Sequence, residues 1–166
     1  MFEIGDFLMY GKTGVCQLKG ISKEAVLDKK EAAYYVLQPV FKNCSAVLKV
    51  PVGNEKVNIR PVASRDQILA YLEEIASSEP VWNDNDRSRF AEYNESLCSG
   101  SCLEWLDLIR QVYLKKKQGM GTNKKVSPRD IGISKEAKRL LHEELAVSLD
   151  IPLEDVEKYL KQRLSQ

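Results

Sequence analysis

Val57-Asn-Ile-Arg-Pro-Val-Ala-Ser-Arg-Asp-Gln-Ile-Leu-Ala-Tyr-Leu72 is where the chain changes its hydrophobic period. Up to Val62 the apolar residues come at strand spacing, with Pro61 suited to an edge or a strand end. From Ser64 the rule is different. Ser64-Arg-Asp-Gln67 has the pattern of a capping box, and Ile68, Leu69, Leu72 and Ile75 then recur at helical spacing. A β module therefore ends near residue 63, and a helical region begins at residue 64.

Four further short strands are predicted upstream: Phe7 to Tyr10, Val15 to Ile21, Tyr34 to Gln38 and Ala46 to Val50. A Gly11–Gly14 turn closes the first, and charged connections at Lys23–Glu31 and Gly53–Lys56 separate others. Short strands with regular turns make a small barrel or a curled sheet. Downstream, Ser77-Ser78-Glu79-Pro80 ends the first helix, and a second runs from Asp84 to Leu97 with Ser99-Gly100 as its stop. Asn83 or Asp84 is its expected cap. A third helix starts at Ser101, with Glu104 completing a capping box and Leu103, Leu106, Ile109 and Tyr113 forming an apolar face, with Trp105, Leu108 and Val112 alongside. Gln118 to Asn123 reads as a loop. Ser127-Pro128 with Asp130 opens a fourth helix reaching Ser148, and Leu153 to Leu164 forms the last. The fold class is α+β: a small Tudor/SH3-like β-barrel at residues 1–63, then an all-α domain of about five helices at 64–166.

Hydrophobic residues make up 43% of the 166 residues and charged residues 30%, a balance that excludes wholesale disorder. No apolar run is long enough to span a bilayer. The opening residues Met1 to Gly14 carry acids and glycines rather than the basic start and apolar core of a secretory leader, so a cytoplasmic location is expected. Cys16, Cys44, Cys98 and Cys102 read as free thiols, and the single histidine, His142, lacks a partner at metal-ligand spacing. Neither a Walker loop nor a G-x-S-x-G or G-x-G-x-x-G motif is present, so a non-enzymatic protein without cofactor or metal is expected. The pair Glu143-Glu144 reads as a solvated helix face.

The formal net charge of +1 conceals strong segregation: −7 over residues 64–109 and +7 over residues 110–129. The basic stretch comprises Arg110, Lys115, Lys116, Lys117, Lys124, Lys125 and Arg129. The helix dipole accounts for Lys115–Lys117 at a helix C-terminus, but not for Lys124, Lys125 and Arg129 before the next helix. Phosphate contact and a solvated face both remain open. Trp105, among Leu and Ile, reads as core. Trp82, between Pro80 and a polar helix start, is either a hydrophobic staple or an exposed anchor.

Several stretches together resemble the CarD/CdnL family of bacterial transcription regulators. They are Phe2-Glu-Ile-Gly-Asp6 with Tyr10, Gly14 and Val15, then Tyr34-Tyr-Val-Leu37, Leu48-Lys-Val-Pro51 and Ile59-Arg-Pro-Val62. Ser99-Gly100, Leu108-Ile-Arg110 with Val112-Tyr-Leu114, Ser127 with Asp130, and Leu141 with Glu144-Leu-Ala146 follow in order. The family shares its first domain with transcription-repair coupling factors. The resemblance implies a Tudor-like module that binds the RNA polymerase β subunit, with Lys49 and Lys23 as the basic contacts. It also implies a helical domain at promoter DNA, at the upstream edge of the melted region, that stabilises the open complex. A tryptophan wedge belongs to that picture. Counted back from Ser99-Gly100, its position falls on Asp86, and Trp82 stands four residues earlier. The candidate DNA residues are Trp82, Arg87, Arg89, Lys115, Lys116, Lys117, Lys124, Lys125 and Arg129. A monomer is expected. The alternative is a protein-only adaptor that binds polymerase and another protein without touching DNA, and the acidic segment Asp84–Glu95 favours it.

Overall fold

The computed structural model describes residues 1–27, 30–119 and 126–164. They form two compact units, Met1–Val62 and Ala63–Gln166. The first is a five-stranded antiparallel sheet of β1 (Phe7–Tyr10), β2 (Gly14–Val26), β3 (Lys30–Pro39), β4 (Leu48–Pro51) and β5 (Ile59–Pro61), in the order β4-β3-β2-β1-β5. Alternation sends Leu8, Cys16, Leu18, Tyr35, Leu37 and Val50 to one face as a buried cluster, with Phe2, Tyr10, Leu48 and Ile59 against it. The Phe2 and Tyr35 rings lie 5.5 Å apart, tilted by 53°. A bulge between Leu18 and Gly20 leaves Lys19 outside the pairing with β3. Gly11 has φ +45°, and a Cβ there would come within 2.5 Å of the Val57 side chain, so glycine is required on both counts.

The β2–β3 hairpin runs further than the hydrophobic pattern predicts. Lys23, Glu24, Ala25 and Val26 pair with Ala33, Ala32, Glu31 and Lys30 within the segment expected to be a charged connection. Ladder hydrogen bonds form between backbones whatever the side chains, and the half-buried positions of the β2 extension are the polar Ser22 and Glu24, so no apolar alternation marks it.

The second unit contains α1 (Arg65–Ser77), α2 (Asp86–Ser99), α3 (Cys102–Gln118), α4 (Pro128–Leu149) and α5 (Val156–Leu164). Ser64 and Gln67 make the expected reciprocal capping box. Gly100, in the left-handed region at φ 74°, stops α2, and Ser101 caps α3 one residue later. Trp105 is fully buried, and its indole N–H donates to the Ser96 carbonyl at 3.2 Å. Leu140, Leu141 and Leu145 of α4, Ile68 of α1 and Leu108 of α3 are buried as well. Among the described residues, no helix is long and apolar enough to cross a membrane.

Two expectations about side chains are overturned. Tyr113 is 63% exposed rather than part of the α3 core face. Leu106 of that face is buried, together with Cys102, Trp105, Leu108 and Val112, and Tyr113, one residue beyond Val112, turns about 100° around the helix, out of the contact. Glu143 and Glu144 are buried, not solvated. Glu143 receives Arg139 at 2.7 Å. The Ala63 N–H donates to Glu144 Oε1 at 2.8 Å, and the Ser148 hydroxyl donates to the Ala63 carbonyl at 2.6 Å. Residue 63 precedes the α1 cap, so helix bonds do not satisfy its amide, and α4 supplies the partners.

Candidate functional site

The segment from Ser78 to Asn85 has neither helix nor strand, so it needs partners from its surroundings. Arg110 of α3 holds its start. Its guanidinium donates to the Ile75 carbonyl, to the Ser78 carbonyl at 2.7 Å and to the Ser78 hydroxyl at 3.2 Å, and it pairs with Asp107 at 2.8 Å. This cation of the basic stretch is therefore engaged in closing the C-terminus of α1, where carbonyls lack helix partners. The segment's end is held by asparagines. Asn83 accepts the Asn85 N–H at 3.0 Å, and its amide donates to Ser88 and Glu92. Asn85 rather than Asn83 or Asp84 caps α2, accepting the Ser88 N–H at 2.9 Å. The turn made by Asn83 delays the helix start to that point.

Arg89 lies at the centre. It is only 3% exposed, although its i,i+3 and i,i+4 neighbours leave α2 with a weakly apolar face. Its Nε and Nη2 donate to Asp130 of α4 at 3.3 and 2.7 Å, and Nη2 also reaches Asp86 at 2.8 Å. Its Nη1 donates to the Asn83 carbonyl at 2.9 Å. Asp130 is 1% exposed. Ser127 caps α4 by accepting the Asp130 N–H, and its hydroxyl donates to Asp130 Oδ2 at 2.8 Å. The Asp130 hydrogen bond holds the Arg89 guanidinium above its usual range, against the opposing effect of burial.

Trp82 is partly exposed and sits against this pair. The Arg89 Cζ lies 4.4 Å from the indole centroid, and the Lys115 Nζ lies 5.1 Å from it, both within cation–π range. Beside Arg89, α2 and the first turn of α4 border a cleft of about 590 Å³, lined by Arg87, Phe90 and Arg129 among others. Arg129 stacks its guanidinium 5.2 Å from the Phe90 centroid.

The predicted site residues thus separate into groups. Trp82, Arg87, Arg89, Lys115 and Arg129 come together around α2. Arg87 and Arg129 are exposed, while Arg89 is buried behind them with its donors taken up. Lys116 and Lys117 are exposed on the last turn of α3, and Lys124 and Lys125 lie outside the described residues. In the β unit, Lys49 faces away from Leu48 and Val50, as its alternation predicts, and forms an exposed ion pair with Glu24. Lys23 alternates with Glu24, so it belongs to the opposite face of the sheet from Lys49. Asp130 and Asn83 were not legible as site residues. Ser127-Pro128 and Asp130 carry a helix-start signal, which hides the carboxylate's second task.

The two units divide as the families do. A CarD-like/TRCF RID domain matches residues 2–63, and a CarD C-terminal domain matches residues 67–161. The chain belongs to the CarD family. No curated protein matches it significantly. As a CarD-family protein it is a transcription-related regulator that interacts with RNA polymerase. The Arg89–Asp130 pair and the Trp82 contact fall wholly within the CarD C-terminal domain match.

Proposed function

We propose that this CarD-family protein binds the RNA polymerase β subunit through its β unit and contacts promoter DNA at the upstream edge of the melted region, lengthening the life of the open complex. It acts as a cytoplasmic monomer and without catalysis. The observation that carries the reading is Trp82. An indole that is partly exposed and held by cations, with the exposed Arg87 and Arg129 lining the cleft beside Arg89, has the makings of a wedge beside phosphate-binding groups. With Asn85 as the cap, the staple position before it is Asp84, not Trp82. The four-residue offset from the family's tryptophan position is compatible with this, because Asn85 starts α2 late and lengthens the segment that carries Trp82.

Trp82→Ala tests it in an open-complex lifetime assay with purified polymerase. A wedge loses lifetime while the melting temperature stays close to that of the parent, by on the order of 1–3 kcal/mol if the indole stacks as aromatics do on bases. An unchanged lifetime, with polymerase binding retained, selects the protein-only adaptor. Exposed Asp84, Glu92 and Glu95 around α2 would then be the surface to probe for a protein partner.

A further inference from the structure

We propose that Asp130 is a positioning residue for Trp82, acting through Arg89. The inference rests on the reading that Trp82 meets DNA, and it adds the device that sets the indole's orientation. Trp82 belongs to a segment without regular structure, so no backbone ladder aims its ring. Arg89 does so at two points. Its guanidinium lies against the indole, and its Nη1 binds the carbonyl of Asn83, the next residue in the chain. A guanidinium is planar and rigid, so fixing its plane fixes both contacts together. Asp130 fixes that plane through two hydrogen bonds, and the Ser127 hydroxyl holds the carboxylate in turn. Asp86 also reaches Arg89, but its side chain is 86% exposed and anchors nothing beyond its own helix. The orientation of Trp82 is thereby referred to the first turn of α4, which is remote in sequence.

A pair that served stability alone would leave the indole's environment unchanged in any variant that folds. The test uses the full chain labelled with 5-fluorotryptophan, which gives one fluorine resonance each for Trp82 and Trp105, assigned with Trp82→Ala. In Asp130→Asn, the Trp82 resonance is expected to shift and broaden while that of buried Trp105 stays in place and reports an intact core. Asp130→Glu keeps the charge but displaces the carboxylate, and decides the case should Asp130→Asn fail to fold. Open-complex lifetime is expected to fall with Asp130→Asn toward that of Trp82→Ala, roughly 5- to 150-fold below the parent. The double variant is expected to be no worse than Trp82→Ala alone, because Asp130 works through the indole. An unmoved Trp82 resonance in the folded variants overturns the proposal, and so does a full lifetime in Asp130→Asn where Trp82→Ala shortens it. If Trp82→Ala itself leaves the lifetime intact, the DNA reading fails, and the fluorine spectra alone still decide whether Asp130 positions the ring.

Discussion

Arg89 and Asp130, 41 residues apart in the chain, bury a two-point ion pair between α2 and the first turn of α4, with their closest atoms at 2.7 Å. Neither charge reaches bulk water, so each depends on the other for its solvation. Removing one partner is expected to cost more than removing both. Asp130→Ala should lower the stability of the helical unit by about 3–5 kcal/mol, because Arg89 is left buried and short of acceptors. Arg89→Met combined with Asp130→Leu should cost clearly less. Urea unfolding of the parent, Arg89→Met, Asp130→Leu and the double variant checks the sign of the coupling, and additive losses would show that the pair is not a unit.

Lys49 stands outside the β core and is paired, among the described residues, with Glu24. An exposed pair of this kind contributes at most about 1 kcal/mol, so Lys49→Glu should leave the β unit folded. If the lysine meets polymerase, the reversal should slow association and make binding more sensitive to salt. Binding kinetics at two ionic strengths measure this, and unchanged kinetics of the folded variant would remove Lys49 from the interface.

Lys116 and Lys117 are exposed at the C-terminal end of α3, whereas Lys115 is drawn against Trp82 and Arg110 is engaged in the α1 terminus. The two exposed lysines are the cations to neutralise. Lys116→Gln with Lys117→Gln should flatten the salt dependence of promoter binding in the polymerase complex by about two units of the logarithmic slope. A slope that does not change assigns them to the helix dipole and a solvated face.

His142 is half-buried on α4, and burial foremost, with Lys138 assisting, lowers its pKa below the ordinary 6.5, while Glu157 opposes. The folded state therefore resists the proton more than the unfolded chain does. The stability this group contributes is complete above the unfolded value, and it declines as pH falls through that value toward the lower folded one. His142→Gln should lose this part of the acid sensitivity. Between about pH 8 and pH 5 the melting temperature of the parent should fall more steeply than that of His142→Gln.

Glu144 has a specific partner, the amide of Ala63. Glu144→Ala leaves a buried N–H without it and should cost about 1–3 kcal/mol. Glu144→Gln keeps an acceptor oxygen and should recover most of the loss. Equal destabilisation by both variants would mean that the charge, rather than the acceptor, is what matters.

The architecture was legible because it depends on short-range physics. Alternation in Val15 to Ile21, the change of period after Val62, and the caps at Ser64, Ser101 and Ser127 each act within about four residues, and each appears where the sequence predicts it. The order of a β module and then five helices follows from them. The fate of the charged side chains was not legible. Arg89 reads as a surface cation, Glu144 as a solvated acid and Tyr113 as core, and the structure places each on the other side of the boundary between protein and water. Arg89 meets the buried Asp130 41 residues away, and Glu144 meets the Ala63 amide 81 residues away. A buried charge is tolerable only where such a distant group arrives to solvate it, and that meeting is decided by how α1, α2 and α4 pack, not by the residues on either side of it in the chain.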